Sequence, residues 1–229
     1  MSRISREAML YAEVARLGKA MSSAKRLEML ELLAQCEKSV ETLAREVEID
    51  IKLASAHLRV LRESRLVISR RDGRHIRYRL SGDDVAALYV RAREVAQMHL
   101  AERGAELDEM VDEASDLTPV SRETLLTRLR RGEVVVIDVR IAEEYDYGHV
   151  PQARSAPWRE IGDHLGELPR NTEIVVYCRG AFCVLAEQAA AFLRARGFRA
   201  RTMEGGMSEW LATGLPLNRP RATDPHAAI

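Results

Sequence analysis

Hydrophobic residues in the first half of the chain recur at the spacing of helices. They predict three helices, over 26–34, 40–47 and 51–62. The apolar faces of the first two consist of Leu27, Leu30 and Ala34, and of Val40, Leu43, Ala44 and Val47. Ser39 and Asp50 stand directly before the second and third helices and are expected to cap them. The first half is therefore predicted to be mostly helical.

The third predicted helix has two chemically different faces. Its apolar face consists of Ile51, Ala54, Leu58 and Leu61. The opposite face carries Lys52, Ser55, Arg59 and Arg62, at offsets of 0, 3, 7 and 10 residues. Two helices joined by a tight turn, with a basic outer face on the second, are typical of the helix-turn-helix plan, in which the second helix enters the major groove of DNA.

A basic hairpin is predicted after these helices, in the segment LVISRRDGRHIRYRL over 66–80. Asp72-Gly73 is a strong two-residue turn signal because both positions tolerate positive φ. The basic residues are Arg70, Arg71 and Arg74 at the tip, and His75, Arg77 and Arg79 on one face of the returning strand. Such a hairpin beside a recognition helix is expected to be a wing that rests on the DNA backbone.

After Pro119 the pattern changes to short strands that alternate with helices. Continuous β-branched runs predict strands over 133–139 and 174–177. A further strand is predicted over 198–203, after Gly197 ends the preceding helix. Amphipathic stretches predict helices over 121–130 and 183–196. The alternation is typical of an α/β domain with a central parallel sheet.

The break between the two patterns falls in the segment DEASDLTP, which has no apolar period. The expected fold is a winged helix-turn-helix domain of the α+β class, mostly helical, over 1–112, and an α/β domain over 120–217. A linker over 113–119 joins them, and a disordered tail is predicted over 218–229 because it contains prolines and little to bury.

Composition limits the class of protein. The chain has 229 residues, enough for two small domains, and a hydrophobic fraction of 46% supports a packed core. The longest apolar runs are six residues, short of the ~20 that a membrane helix needs. Three cysteines favour a reducing cytoplasm, where cysteine chemistry is catalytic or redox-sensing. The protein is therefore expected to be cytoplasmic, with no membrane partner.

The overall charge balance hides two strongly charged segments. Residues 52–79 contain nine basic residues against two acidic ones, a net charge of +7, although the whole chain has a net charge of zero. Residues 102–116 contain seven acidic residues and one basic residue, a net charge of −6. A concentrated basic segment in a neutral chain indicates a localised face for a polyanion such as nucleic acid.

One cysteine stands where α/β domains place their chemistry. Cys178 directly follows the predicted strand 174–177, and the loop after it leads into a helix. The loop amides, the helix N-terminus and Arg179 all favour an anion, so they should stabilise the Cys178 thiolate and an anionic persulfide formed on it. Such a thiolate can attack the outer sulfur of thiosulfate, a polysulfide or a persulfide.

Residues 26–80 resemble the winged-helix core of the ArsR/SmtB transcriptional repressors, above all in SAHLRVLRESRLV and RRDGRHIRYRL. The resemblance covers about residues 10–105. It implies a homodimer, built on the first and last helices, that binds a palindromic operator in double-stranded DNA and releases it on a chemical signal. The residues expected to contact DNA are Lys52, Ser55 and Arg59 in the groove and Arg71, Arg74 and Arg77 in the wing.

The sensor sites of that family are missing from this chain. Its thiolate metal site needs Cys-x-Cys, and the matching stretch LAREVEID has no cysteine. Its zinc site needs a His two residues after an Asp, which Asp84 lacks, and His99 with Glu102 does not make a tetrahedral zinc site. Neither a metal nor a cofactor is therefore expected, and Cys36 is interpreted as a bystander.

The second half resembles a rhodanese domain. The resemblance rests on VVVIDVRIAEEYDYGHVPQARSAP, IVVYCRGAFCVLAEQAAAFLRARGF and EGGMSEWLATGLP, which appear in the order of that family and cover about residues 118–217. It implies that Cys178 carries the persulfide and that Asp138 and Arg140 support the active loop and the sheet. Residues implied to shape the neighbouring turn are Glu144, Gly148 and His149.

The position five residues after Cys178 departs from that family. Many active rhodaneses have a basic residue there, and this chain has Cys183. Two interpretations stay open: a small buried helix residue, or a resolving thiol that converts the Cys178 persulfide into a disulfide or polysulfide bridge. Phosphatase or arsenate-reductase chemistry is not favoured, because it needs an Arg six residues after the cysteine and position 184 is Val.

The residues expected to form the catalytic group are Cys178, Arg179 and Cys183. Three hypotheses for function follow. The leading one is a repressor that senses reactive sulfur through persulfidation of Cys178, with the acidic segment 102–116 either a lever between the halves or a solvated linker. The second is a working sulfurtransferase with a thiosulfate or persulfide donor, which the winged helix recruits or whose operon it regulates. The third is a repressor whose rhodanese half is catalytically idle and binds another ligand or protein.

Overall fold

The computed structural model describes residues 3–101 and 118–219. The chain divides into two compact units, Met1–Tyr89 and Val90–Ile229. Within the described ranges, no helix has both the length and the apolar character needed to cross a membrane. The predicted acidic lever over 102–116 and most of the predicted tail lie outside the described residues.

The N-terminal unit is mainly helical, as the sequence predicts. Its elements are α1 (Arg3–Met21), α2 (Ala24–Gln35), β1 (Lys38–Ser39), α3 (Val40–Glu46) and α4 (Ile51–Glu63). The side chains of Ser39 and Asp50 accept hydrogen bonds from the N–H groups of Thr42 and Leu53. Both predicted N-caps are therefore confirmed.

The helix α4 buries one face, with one departure from the prediction. Ala54, Leu58 and Leu61 are fully buried, as their spacing requires. Ile51, the fourth residue of the predicted apolar face, is 52% exposed, so this face is not buried along its whole length. The reason is position: Ile51 begins the helix, one turn before the first buried residue, Ala54.

The predicted wing forms a three-stranded antiparallel sheet. Strands β2 (Val67–Asp72) and β3 (His75–Leu80) pair with each other, and β1 joins the outer side of β3. Asp72 pairs with His75, so the two-residue turn consists of Gly73 and Arg74, one position later than the predicted Asp72-Gly73 turn. Gly73 has φ of +62°, which glycine adopts without a Cβ penalty. The helix α5 (Asp83–Ala101) follows the wing.

The C-terminal unit is an α/β layer structure around a parallel sheet. Its elements are α6 (Arg122–Arg130), β4 (Val134–Asp138), α7 (Ala142–Tyr147), β5 (Arg154–Ser155), β6 (Glu173–Tyr177), α8 (Leu185–Arg194), β7 (Ala200–Thr202) and α9 (Met207–Ala212). The strand order is β5-β4-β6-β7, and every pairing is parallel. The predicted parallel sheet is therefore confirmed.

The central strand β6 is buried on both sides. Ile174 and Val176 join the apolar cluster on one face of the sheet, and Val175 and Tyr177 join the cluster on the other. The carboxyl end of β6 lies beside that of β4, because Tyr177 pairs with Asp138 in the parallel register. The segments that follow the two strands therefore emerge at the same edge of the sheet.

Two boundaries differ from the predictions. The helix predicted over 183–196 begins at Leu185, because residues 180–184 form a turn in which the Cys183 N–H donates to the Gly180 carbonyl at 2.9 Å. Asn218, predicted to start the disordered tail, exchanges backbone hydrogen bonds of 2.9 and 3.0 Å with His149. The short elements α7, β5 and α9 were not predicted, since each has too few residues to show a period.

Candidate functional site

The predicted DNA-contacting residues lie at the surface of the N-terminal unit. The exposed ones are Lys52, Ser55 and Arg59 on α4 and Arg71 and Arg74 in the wing, and Arg77 is half-buried. The Ser55 hydroxyl donates to the Ile51 carbonyl at 2.8 Å, and Arg77 donates to the Asp72 carboxylate at 2.8 Å. In residues 3–101 and 118–219, Lys52, Arg71 and Arg74 form no ion pair. Their charges are therefore available to a phosphate backbone.

Replacing Arg74 with Ala is expected to weaken binding to a random-sequence DNA duplex. A side chain that contacts one phosphate contributes about one unit to the slope of log K against log salt concentration. Fluorescence anisotropy over a series of salt concentrations measures that slope. Arg131→Ala is the control, because this exposed arginine lies in the C-terminal unit. An unchanged slope for Arg74→Ala would place the wing tip off the DNA.

The loop after β6 holds two cysteines joined to each other. Cys178 and Cys183 form a disulfide, with their Cα atoms 6.2 Å apart. Cys178 is 2% exposed, whereas Cys183 is half-buried. Cys183 is thus neither a helix residue nor fully buried, and it lies within bonding distance of Cys178.

The N-terminus of α9 forms hydrogen bonds to the backbone of this cysteine loop. The N–H groups of Met207 and Ser208 donate to the carbonyls of Cys178 and Arg179 at 2.9 and 2.8 Å. The Glu209 carboxylate, which is part of a residue only 5% exposed, accepts from the Gly206 N–H at 2.7 Å and from the Ala181 N–H at 3.3 Å. The loop is held in one conformation by these backbone contacts.

Several amides of the cysteine loop remain without an acceptor. Within the described part of the chain, no hydrogen bond is formed by the N–H groups of Gly180, Phe182 and Val184. They alternate with the N–H groups of Ala181 and Cys183, which donate to Glu209 and to the Gly180 carbonyl. Free amides in a turn favour a bound anion, including an anionic sulfur. This arrangement fits the expected stabilisation of a Cys178 thiolate or persulfide.

The side chain of Arg179 is engaged with a buried carboxylate. It donates to Glu144 at 2.5 and 3.0 Å, and the Glu144 side chain is fully buried. The bidentate pair ties the cysteine loop to α7 and offsets the cost of a buried charge. Stabilisation of the Cys178 thiolate by Arg179 remains a prediction.

A second buried ion pair supports the edge of the sheet. The side chains of Asp138 and Arg140 are both fully buried and are joined by hydrogen bonds of 2.6 to 3.1 Å. The Tyr177 hydroxyl donates to Asp138 at 2.6 Å, and Arg140 also donates to the Gly148 carbonyl at 2.8 Å. The network connects the ends of β4 and β6 to the turn after α7.

The pKa values in this network follow from burial and from the Asp138 charge. Burial alone would lower the pKa of Arg140, but the neighbouring Asp138 carboxylate outweighs burial and raises that pKa above its ordinary value. Burial, followed by the Asp138 charge, raises the pKa of Tyr177 well above its ordinary value. Arg140 therefore stays charged and Tyr177 stays neutral at neutral pH.

Sequence reasoning did not single out two residues that shape the site. Gly206 packs against the backbone of Cys178 and Gly180, and Glu209 holds loop amides. The signal in the sequence was partial: Glu209 stands three residues after Gly206, the spacing at which a carboxylate accepts from the N-cap N–H of a helix. Across residues 3–101 and 118–219, no three His, Cys, Asp or Glu side chains are grouped to hold a metal ion.

Comparisons with known proteins agree with both halves. Residues 23–69 match the family Bacterial regulatory protein, arsR family, and residues 121–213 match the family Rhodanese-like domain. The HTH-type transcriptional regulator Rv0324 of Mycobacterium tuberculosis is 40% identical over 213 residues, which is 93% of this chain and 93% of its own.

Two further relatives match one half each. A sulfurtransferase of Allochromatium vinosum is 32% identical over 103 residues, covering 44% of this chain and 94% of its own. The homodimeric winged helix-turn-helix DNA-binding domain Mb0332 (fragment 1–100) of Mycobacterium bovis is 42% identical, with a TM-score of 0.41, and covers 44% of this chain and 91% of its own.

The protein is therefore of the class in which one chain joins a winged helix-turn-helix unit to a rhodanese-like domain. The chain belongs to the arsR family of bacterial regulatory proteins and is a transcriptional regulator that carries a rhodanese-like domain.

Proposed function

We propose that this regulator is a homodimeric repressor whose affinity for operator DNA is set by sulfur loaded onto Cys178. The observation that carries the proposal is the fastened loop after β6, in which Cys178 lies beside free amides and within bonding distance of Cys183. The same chain carries a winged helix-turn-helix unit, so a chemical change at the loop can alter the affinity of that unit for DNA.

The loading step is a sulfur transfer that needs no further co-reactant. The Cys178 thiolate attacks the outer sulfur of a polysulfide or persulfide donor, R–S–S⁻. The S–S bond of the donor breaks, its electron pair leaves on R–S⁻, and Cys178 becomes a persulfide. Thiosulfate can serve in the same way, with sulfite as the leaving group. The free amides of Gly180, Phe182 and Val184, in the loop that begins at Cys178, support this step because free amides favour an anion.

Cys183 then acts as the resolving thiol. The outer sulfur of the persulfide takes up a proton from water, and the Cys183 thiolate attacks the Cys178 sulfur. The bond to the outer sulfur breaks, the electron pair leaves as hydrosulfide, HS⁻, and the Cys178–Cys183 disulfide remains. The two protein thiols lose two electrons, which reduce the transferred sulfur to sulfide. In the disulfide form Cys178 is covered, so this form takes no further sulfur until it is reduced.

Dimer formation is proposed from the apolar surface of α1. Its exposed apolar residues are Met9, Leu10, Tyr11 and Val14, each more than half exposed. A group of large apolar side chains on one helix favours burial against another copy. A two-fold dimer presents two copies of α4 to a palindromic operator, as the helix-turn-helix plan requires.

The experiment compares wild type and Cys178→Ser for affinity to an operator selected in vitro, with and without polysulfide. We expect polysulfide to weaken operator binding by wild type and to leave Cys178→Ser unchanged. Mass spectrometry of the same samples should find the persulfide and then the Cys178–Cys183 bridge in wild type. If Cys178 carries only an open persulfide and Cys183 stays unmodified, the resolving role is wrong.

A sulfurtransferase function is the second candidate, and the 32% identical sulfurtransferase favours it. Thiosulfate:cyanide turnover, measured on the same wild-type samples, separates the two. Slow turnover with donor-dependent release of DNA supports the sensor. Fast turnover with no change in DNA affinity supports the enzyme, and neither turnover nor release supports a domain that binds some other ligand.

A further inference from the structure

The two cysteines of the Cys178–Cys183 disulfide differ in their exposure to solvent. Cys178 is 2% exposed and belongs to the apolar cluster that includes Val176 and Ala186. Cys183 is half-buried and lies between two surface side chains, Phe182 at 63% and Val184 at 60% exposure. A molecule that arrives from solvent therefore meets the Cys183 side of the bond.

We infer that Cys183 is a thiolation site, the atom at which small thiols attack the oxidised protein to return it to its dithiol state. The inference rests on the proposed function only in taking the disulfide as the end of sulfur loading. It adds the residue that receives the reductant and the chemical class of that reductant, a low-molecular-weight thiol.

The exchange proceeds in two balanced steps. A thiolate R–S⁻ attacks the Cys183 sulfur, the bond to Cys178 breaks, and its electron pair leaves on Cys178 as a thiolate. Cys183 now carries a mixed disulfide with R–S. A second thiolate attacks the sulfur of R, which releases R–S–S–R and the Cys183 thiolate. Two thiols are oxidised, and the protein disulfide gains the two electrons.

The surroundings of Cys178 suit it to be the leaving group. The N–H groups of Gly180, Phe182 and Val184 have no acceptor among the described residues, so they can hold the departing anion. A thiolate that is stabilised where it forms leaves faster in thiol–disulfide exchange. If the small thiolate attacked the Cys178 sulfur instead, it would have to enter the apolar cluster. Cys183 would then be the leaving thiolate, nearer the surface.

Attack at Cys183 couples reduction of the disulfide to the next transfer of sulfur onto Cys178. The first step frees Cys178 as a thiolate inside the amide loop while Cys183 is still blocked by R–S. Cys178 is thus ready for a new sulfur atom before the resolving thiol is restored. A cell rich in small thiols would hold the loop in its receptive form.

The test maps the mixed disulfide in wild-type protein. Diamide first oxidises the pair to the disulfide, and the protein is then mixed with excess 2-mercaptoethanol. The reaction is stopped at short times with N-ethylmaleimide, followed by peptic digestion in acid and fragment-ion mass spectrometry. We expect mercaptoethanol on Cys183 and maleimide on Cys178 to exceed the reverse pattern by about tenfold.

The control repeats the reaction in concentrated urea. There the two sulfurs are equally exposed, so the preference should fall to near one. The inference is overturned if the folded protein carries mercaptoethanol on Cys178, shows both patterns equally, or forms no Cys178–Cys183 disulfide with diamide. Because diamide replaces the sulfur donor, these outcomes do not depend on whether polysulfide changes DNA affinity.

Discussion

The Gly206→Ala variant is expected to load sulfur onto Cys178 on the order of 100-fold more slowly than wild type, because a misplacement of about 1 Å at a reacting group costs that much. A Cβ at this position would stand 2.5 Å from the Gly180 nitrogen, 2.6 Å from the Cys178 carbonyl oxygen and 2.7 Å from the Gly180 Cα atom. All three are backbone atoms, so the cysteine loop itself must move.

Loading is measured as the rate of the mass increase of the reduced protein under excess polysulfide. Gly162→Ala is the matched control, since a Cβ there would meet nothing within 4 Å. Operator affinity without polysulfide should stay at the wild-type value, because the residues expected to contact DNA lie in the other unit. Wild-type loading by Gly206→Ala would mean that the loop conformation does not govern the chemistry.

The Asp138→Ala variant is expected to destabilise the C-terminal unit by about 3–5 kcal/mol, the cost of removing one partner from a buried ion pair. Arg140 would lose the carboxylate that compensates its burial, and the Tyr177 hydroxyl would lose its acceptor. Since burial without Asp138 lowers the pKa of Arg140, the variant leaves a desolvated cation inside the protein.

Urea unfolding followed by tryptophan fluorescence isolates this effect. The two tryptophans of the chain, Trp158 and Trp210, both lie in the C-terminal unit. Asp163→Ala removes an exposed carboxylate from the same unit and serves as the control. Equal midpoints for the two variants would contradict the assignment of Asp138 as the main support of the sheet edge.

Local patterns predicted most of the secondary structure. The capping residues Ser39 and Asp50, the turn at Gly73 and the continuous apolar run of β6 each act over a few residues, so their effect is visible in the sequence. Ile51 shows the limit of periodicity, because a period assigns a face of the helix and not how far neighbouring elements cover its first turn.

The site was predictable where a strand end fixes a position. Cys178 could be located because parallel strands bring their carboxyl ends to one edge of the sheet. The partner of Arg179 could not be predicted, because Glu144 lies 35 residues away and only the packing of α7 brings the two charges together. The same holds for Glu209, which reaches the Ala181 amide from α9 across 28 residues.

One titration tests the central claim most directly: polysulfide is added stepwise to the reduced regulator on a fluorescent operator. Anisotropy gives the fraction of DNA bound, and mass spectrometry of the same samples gives the fraction of Cys178 modified. The account predicts that the two fractions change together and that Cys178→Ser releases no DNA. Full modification of Cys178 with operator binding unchanged would contradict it.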